Sequence, residues 1–290
     1  MRNNKVLVLS PDPTDVMYAG RWRDILAQLA GSLERFGIGT AQAPWTSDLG
    51  AIAESAALVL PLLAWGYQRD HRRWLDTCVE WQRCGIPVQN PPEVLRWNSD
   101  KRYLEELRER GAPVVPSLYC DGLSYSRLQD SLAFFDVDTV VLKPTVSATA
   151  YKTSLWRAGT TVADPPEGPC IIQPYLPSIE REGEISLIFI EGRFSHALRK
   201  IPAEGDFRVQ PEFGGRLTAH VPDQNAIQTA QQVLQCTGPS LLYARIDLVL
   251  SNTSQWLLLE AELIEPDLFL NLDGNRGELI GQALRDRMSA

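Results

Sequence analysis

Residues 241–270 read LLYARIDLVLSNTSQWLLLEAELIEPDLFL, and their periodicity sets the architecture. Two apolar runs flank a polar turn, Ser251 to Gln255, in the manner of a β-hairpin. Period-two alternation predicts Tyr243, Arg245, Asp247 and Val249 on one face of the first strand, with Leu242, Ala244, Ile246, Leu248 and Leu250 on the other. In the second strand Trp256, Leu258, Glu260, Glu262 and Ile264 are expected to share a face, so that Asp247, Glu260 and Glu262 meet across the hairpin. Buried, unpaired charge is costly or shifts its own protonation. Two explanations of the acids follow. A hard divalent cation such as Mg²⁺ takes oxygen ligands and is commonly shared with phosphates. Alternatively the face is solvated and Arg245 pairs with one acid. Periodicity leaves both open.

The remaining composition narrows the class. A chain of 290 residues has room for one large core or two to three small domains. A formal net charge of -8 argues against nucleic acid or an acidic membrane surface as the main partner. The five cysteines form no CxxC pair, and an odd, loosely spaced set reads as reduced thiols of a cytoplasmic protein rather than a structural zinc site. The opening MRNNKVLVLS lacks the long apolar run of a signal peptide, and the longest apolar stretch, Ala56 to Trp65, is too short to span a bilayer. A soluble cytoplasmic protein is expected.

Before the hairpin, strands are expected at 5–10, 56–61 and 86–89, with helices at 22–36 and 70–83 between them. This β-α-β-α-β order implies a small open sheet. Asn90, Pro91 and Pro92 are expected to interrupt regular structure. A charged helix follows over Lys101 to Arg110, then a strand at 114–118, a helix at 126–135, and a strand at 139–143 that delivers Lys143 to its end. Residues 148–168 read as an irregular loop. Cys170 to Gln173 is a strand, and 185–190 with 193–200 forms a hairpin turning at Glu191 and Gly192. Residues 200–216 are rich in Gly, Pro and charge, and helices are expected at 225–234 and 276–288.

In this order the stretches NPPEVLRWNSDKRYL, VVLKP, IIQPYLPSIEREGEISLIFI, SHALRKIPAEGDFRVQPEFGG, YARIDLV and LLLEAELIEPDLFL resemble the ATP-grasp superfamily, in particular its glutathione synthetase-like ligases. The resemblance runs from about residue 90 to 270 and extends to a subgroup that closes the ring of D-cycloserine from O-ureido-D-serine. It implies a mixed α/β and α+β fold in three domains: 1–95 on the substrate side, a central domain at 96–172, and a C-terminal domain at 173–290 carrying the hairpin. ATP would lie between the last two.

The resemblance also assigns roles. Lys101, otherwise a solvated helix charge, and Lys143, a strand-end lysine, are similar to the lysines that reach the ATP phosphates. Gln173, Pro174, Tyr175 and Leu176 look like the connector whose backbone meets the adenine edge. Glu184 resembles the ribose-binding acid, with Glu180 as its rival. Arg199 and Arg208 would hold the transferred phosphoryl group, and Asp247, Glu260 and Glu262 would bind Mg²⁺ or Mn²⁺. Relatives often carry asparagine where Glu262 stands. They also carry a glycine-rich loop after the Lys143 strand, whereas TVSATAYKT at 145–153 has no glycine. Ser147, Thr149 and Thr153, with Lys152 for charge, would cover the phosphates instead. His196 reads as a satisfied core-edge histidine, and Asp12, Asp15, Arg21 and the Trp65–Gly66–Tyr67 segment as the substrate side.

The implied activity is ATP-dependent ligation. A small amino-acid-like carboxylate becomes an acyl phosphate, and a nucleophile displaces phosphate. Intramolecular ring closure in antibiotic biosynthesis is the favoured case. An intermolecular amide or dipeptide ligase and a catalytically idle nucleotide-binding module are the alternatives. Relatives of this kind also form homodimers or homotetramers.

Overall fold

The computed structural model describes residues 4–18, 20–53 and 55–289, so the first three residues of the opening stretch lie outside it. The chain begins with β1 (Lys5–Ser10), α1 (Arg21–Glu34), β2 (Gly39–Pro44), α2 (Leu49–Ala53), β3 (Leu58–Leu60) and α3 (His71–Arg83). The three strands form a parallel sheet in the order β2-β1-β3. Its centre is apolar on both faces, as a covered parallel sheet requires. Val6 and Val8 pack with Leu29 and Leu33 of α1, whereas Leu7 and Leu9 pack with Trp74, Cys78 and Trp81 of α3. Strand β2 was not evident in the sequence because GTAQAP offers little apolar side chain. The strand expected at 86–89 reduces to a single bridge between Val59 and Val88.

Next come α4 (Pro92–Asn98) and α5 (Tyr103–Glu109). The prolines therefore open a helix rather than forbid one, because Pro92 occupies the first turn, where no N–H is needed. The helix expected over Lys101 to Arg110 is α5, which begins at Tyr103, so Lys101 lies in the turn between α4 and α5 rather than in a helix. Strands β4 (Leu118–Cys120), β5 (Thr139–Pro144), β6 (Ser154–Arg157) and β7 (Cys170–Pro174), with α6 (Tyr125–Phe135), build a second sheet in the order β4-β7-β5-β6. Strand β6 lies within the region read as irregular and pairs with β5. Val140 and Leu142 pack beneath α6, so β5 turns Lys143 to the opposite face.

The last unit contains α7 (Ser178–Arg181), β8 (Glu184–Ile190), β9 (Arg193–Ile201), β10 (Arg216–His220), α8 (Gln224–Thr237), β11 (Tyr243–Leu250), β12 (Trp256–Glu262) and α9 (Glu278–Ser289). Its five strands are antiparallel, in the order β10-β9-β8-β11-β12. Strand β10 sits in the region following the 200–216 loop, where no strand was expected. One face of the sheet carries Ile185, Leu187, Phe189, Ala244, Ile246 and Leu248 into a core shared with α5 and α8. The other face is apolar at one end, where Ile188 and Ile190 meet α1 and α9, and charged at the other. Among the described residues no helix is long and apolar enough to cross a membrane.

Candidate active site

The charged end is shaped by two bulges. Strands β8 and β9 leave the Glu191–Gly192 turn with Ile190 opposite Arg193 and Phe189 opposite Phe194, a register that would set Glu184 against Arg199. One extra residue in β9, Ser195, shifts it, so Ile188 faces His196 and Glu184 faces Lys200. In β12, Leu248 faces Leu258, but Asp247 faces Glu260, with Leu259 as the extra residue. The expected face shared by Trp256, Leu258 and Glu260 is therefore corrected. Trp256 and Leu258 join the core, while Glu260 turns to Asp247.

The first bulge also corrects the reading of Arg199. Arg199 pairs with Ile185, on the face opposite Glu184, Ser186 and Asp247, and its guanidinium lies 3.6 Å from Glu182. Lys200 occupies the charged face instead. Its Nζ donates to Glu184 Oε1 at 2.6 Å and to Asp247 Oδ2 at 3.2 Å. Asp247 further accepts from Ser186 Oγ at 2.5 Å and from Arg245 Nε at 3.0 Å. Arg245 reaches across to Glu262, so both readings of the hairpin meet here: Asp247 and Arg245 are buried, Glu260 and Glu262 are only partly so, and Arg245 bridges two of the acids.

Lys101 and Lys143 approach this face from the other side. Lys101 Nζ donates to Ser147 O at 2.7 Å and lies 3.1 Å from Glu260 Oε1. Ser147 Oγ turns back to Pro144 O at 3.2 Å, so it is the carbonyl of Ser147 that meets the lysine. Burial lowers the Lys143 ammonium to about 8, against the pull of Glu260. Burial pushes Glu184 up to about 7 against Lys200, and Glu262 up to about 7 against Arg245. Glu260 stays low although burial opposes it, because Lys101 and Lys143 stand beside it. Burial, with Glu262 and Glu260 nearby, holds Glu265 well above the carboxylate range.

Beside the charged end lies an apolar cluster of Val115, Ile179, Val209 and Val249, edged by Tyr175, Leu176, Phe207, Leu257 and Leu259. Gln173 is buried and donates to Ser117 at 2.9 Å, and the Tyr175 N–H donates to Thr139 O at 3.1 Å. The two rival acids separate: Glu184 belongs to the buried charged set, and Glu180 is exposed on α7, where it accepts from Tyr175. Arg208 is folded onto Asp206, at 2.7 Å, and stacks 3.7 Å from the Phe213 ring centre. Lys152 pairs with Glu167 at 2.5 Å, which closes the glycine-free loop on itself. His196 bonds Leu268 O at 2.9 Å, as a satisfied core-edge histidine should. On the substrate side, Asp12 accepts from Thr14 and Thr46, Asp15 pairs with Arg69, and Arg21 pairs with Glu212 at 2.7 Å. Trp65 meets Tyr18 with ring centres 5.6 Å apart, whereas Tyr67 is buried against Trp74.

The residues missed from sequence are Lys200, Ser186 and Glu265; Arg245, expected to pair with one acid, holds both Asp247 and Glu262. As a metal site, Asp247, Glu260 and Glu262 offer oxygen donors alone, which suits a hard cation. Among the described residues no three His, Cys, Asp or Glu side chains already converge on a common point. Ligation therefore requires Arg245 and Lys101 to release their acids. The set fits the ion in chemistry and is held by cations in the meantime.

Comparison with known proteins gives the family and the fold. The prokaryotic glutathione synthetase ATP-grasp domain family matches residues 149–254. The cycloserine biosynthesis protein DcsG of Streptomyces lavendulae is 30% identical over 221 residues, spanning 68% of this chain and 72% of its own. A glutathione synthetase of Prochlorococcus marinus is 29% identical over 182 residues, 58% of this chain and 55% of its own. The crystal structure of D-cycloserine synthetase DcsG shares the fold with a TM-score of 0.81 at 24% identity, covering 98% of this chain and 99% of that one. The D-alanine–D-alanine ligase of Bacillus anthracis shares it with a TM-score of 0.69 at 14% identity, over 98% of this chain and 99% of that one. The chain belongs to the glutathione synthetase-like ATP-grasp family and is an ATP-dependent carbon–nitrogen ligase.

Proposed function

We propose that this ligase closes a ring within one small amino acid, converting O-ureido-D-serine to D-cycloserine with ATP. The observation that carries the reading is the similarity to the cycloserine biosynthesis protein along most of both chains, combined with a complete charged face for phosphoryl transfer.

In this proposal the purine enters the apolar cluster, with backbone groups of Gln173, Tyr175 and Leu176 along its edge and Glu184 accepting from the ribose. Lys101 and Lys143 flank the phosphates, and the loop at Ser147 covers them. Lys200 takes the place first given to Arg199, and Arg208 swings from Asp206 to the transferred group. Asp247, Glu260 and Glu262 hold Mg²⁺ or Mn²⁺, which when bound neutralises charge on the moving phosphoryl group. The substrate carboxylate attacks the γ-phosphorus and ADP leaves. The ureido nitrogen attached to oxygen then attacks the acyl carbon, forming the C–N bond as phosphate departs. One water completes the balance by releasing the carbamoyl group as carbon dioxide and ammonia. A closed site protects the acyl phosphate until the ring forms.

The division at residues 95 and 172 is part of the proposal. The parallel sheet lies within the first segment and the five-stranded sheet within the last, but the boundary at 172 cuts β7 of the four-stranded sheet, and α5 packs against the five-stranded sheet. The test is ADP release with O-ureido-D-serine as sole amino acid, with and without added amines. Release that ignores added amines, with a ring product by mass spectrometry, is expected. Release that requires a second amino acid would replace ring closure by intermolecular ligation.

A further inference from the structure

Strand β12 is the edge of its sheet, yet its outer edge is buried: Ala261 is 1% exposed and Leu263 0%. Backbone groups left unpartnered there would lose their hydration without replacement and destabilise the fold. The backbone of residues 113–115 covers this edge at Leu258, but among the described residues no strand pairs with it at Ala261 or Leu263. Tyr103 Oη accepts from Ala261 N at 2.8 Å and donates to Ala261 O at 3.1 Å. Asn98 Nδ2 donates to Ala261 O at 2.8 Å, and its Oδ1 accepts from Leu263 N at 2.9 Å. Asn90 Nδ2 donates to Leu263 O at 2.9 Å. Three side chains thus stand in for a strand.

Their bonds end on the residues that alternate with Glu260 and Glu262. The same segment, between Asn98 and Tyr103, carries Lys101. Its N–H donates to Thr145 O at 2.8 Å, and its Nζ reaches both Ser147 O and Glu260. We infer that Asn98 and Tyr103 are positioning residues that lock the two carboxylates of β12 in register with Lys101 and the phosphate-side loop, and so set the affinity for the divalent cation. This rests on the assignment of Glu260 and Glu262 as ligands.

The experiment measures binding rather than turnover. The non-hydrolysable analogue adenylyl imidodiphosphate is titrated calorimetrically at a series of Mg²⁺ concentrations, alongside thermal unfolding. Tyr103→Phe removes the hydroxyl and keeps the ring. It should raise the Mg²⁺ concentration for half-maximal analogue binding about tenfold, the scale at which outer partners act on a metal site. Asn98→Ser supplies a second variant if the first does not fold. Val233→Ala, in α8 on the far side of the same sheet, should lower the melting temperature and leave the Mg²⁺ dependence unchanged. A Tyr103→Phe protein with wild-type Mg²⁺ dependence overturns the inference. Glu262→Gln separates the two layers of the argument. If it shifts the Mg²⁺ dependence while Tyr103→Phe does not, the positioning role fails and the ligand assignment stands. If Glu262→Gln shifts nothing, the ligand assignment fails and the inference falls with it.

Discussion

Replacing Lys143 by methionine should make the nucleotide-free protein more stable while destroying its use of ATP. Lys143 is 8% exposed, at the end of β5. Burial lowers its ammonium from 10.5 to about 8, with Glu260 pulling the other way. A displacement of that size corresponds to roughly 3 kcal/mol of folding free energy at neutral pH, because the charged form is disfavoured in the folded state. The sign follows from linkage. Below about 8 the amine is protonated in both states and the penalty is complete. Between about 8 and 10.5 the unfolded chain binds more protons, so wild-type stability recovers as pH rises. Methionine fills a similar volume without the charge. Urea unfolding at pH 7 should therefore show the variant more stable by a few kcal/mol, and the gap should close toward pH 10.5. Calorimetry should show ATP affinity largely lost, since a lysine with no full counter-charge is held there for an anion. A variant less stable than wild type at pH 7, or a gap independent of pH, would refute the reasoning.

Other outcomes follow from the same face. Arg245→Met leaves Asp247 and Glu262 without their shared cation and should cost about 3–5 kcal/mol in chemical unfolding, as for any buried charge stripped of its partner. Lys200→Met should abolish ADP release, whereas Arg199→Ala should retain most of it; the reverse order would restore Arg199 to the site. Glu260→Gln should eliminate turnover at any Mg²⁺ concentration, and near-normal turnover at saturating Mg²⁺ would remove Glu260 from the metal set. Arg208→Ala should leave the melting temperature nearly unchanged, because the pair with Asp206 is partly exposed and local, and lower turnover at least about 100-fold.

Long apolar runs with a clear period were legible. Strands β1, β5, β8 and β11 and helices α3, α6 and α8 lie close to where apolar periodicity places them. Asp223 and Ser124 cap two of those helices as side-chain acceptors. The failures share a physical cause. Strands β2, β6 and β10 are short and partly exposed, so burial leaves no pattern in their side chains. Ser195 and Leu259 are ordinary residues in unbroken β sequence, and nothing in their identity announces a bulge. Yet each reverses the parity of everything beyond it, exchanging Arg199 for Lys200 and bringing Glu260 round to Asp247. The chemistry of the site was therefore readable as residue types, and its membership was decided by two single-residue shifts in register. The role of Asn98 and Tyr103 was hidden for a different reason. Side chains that complete a sheet edge have no periodic signature, because their partners lie 158 and more residues away.

The measurement that bears most directly on the function is the stoichiometry of a single-substrate reaction. Purified protein, ATP, Mg²⁺ and O-ureido-D-serine alone should release ADP and yield D-cycloserine in equal amounts, with the L enantiomer and unmodified serine inactive. ADP release that appears only with a second amino acid, or a product that retains both partners, would contradict ring closure by this ligase.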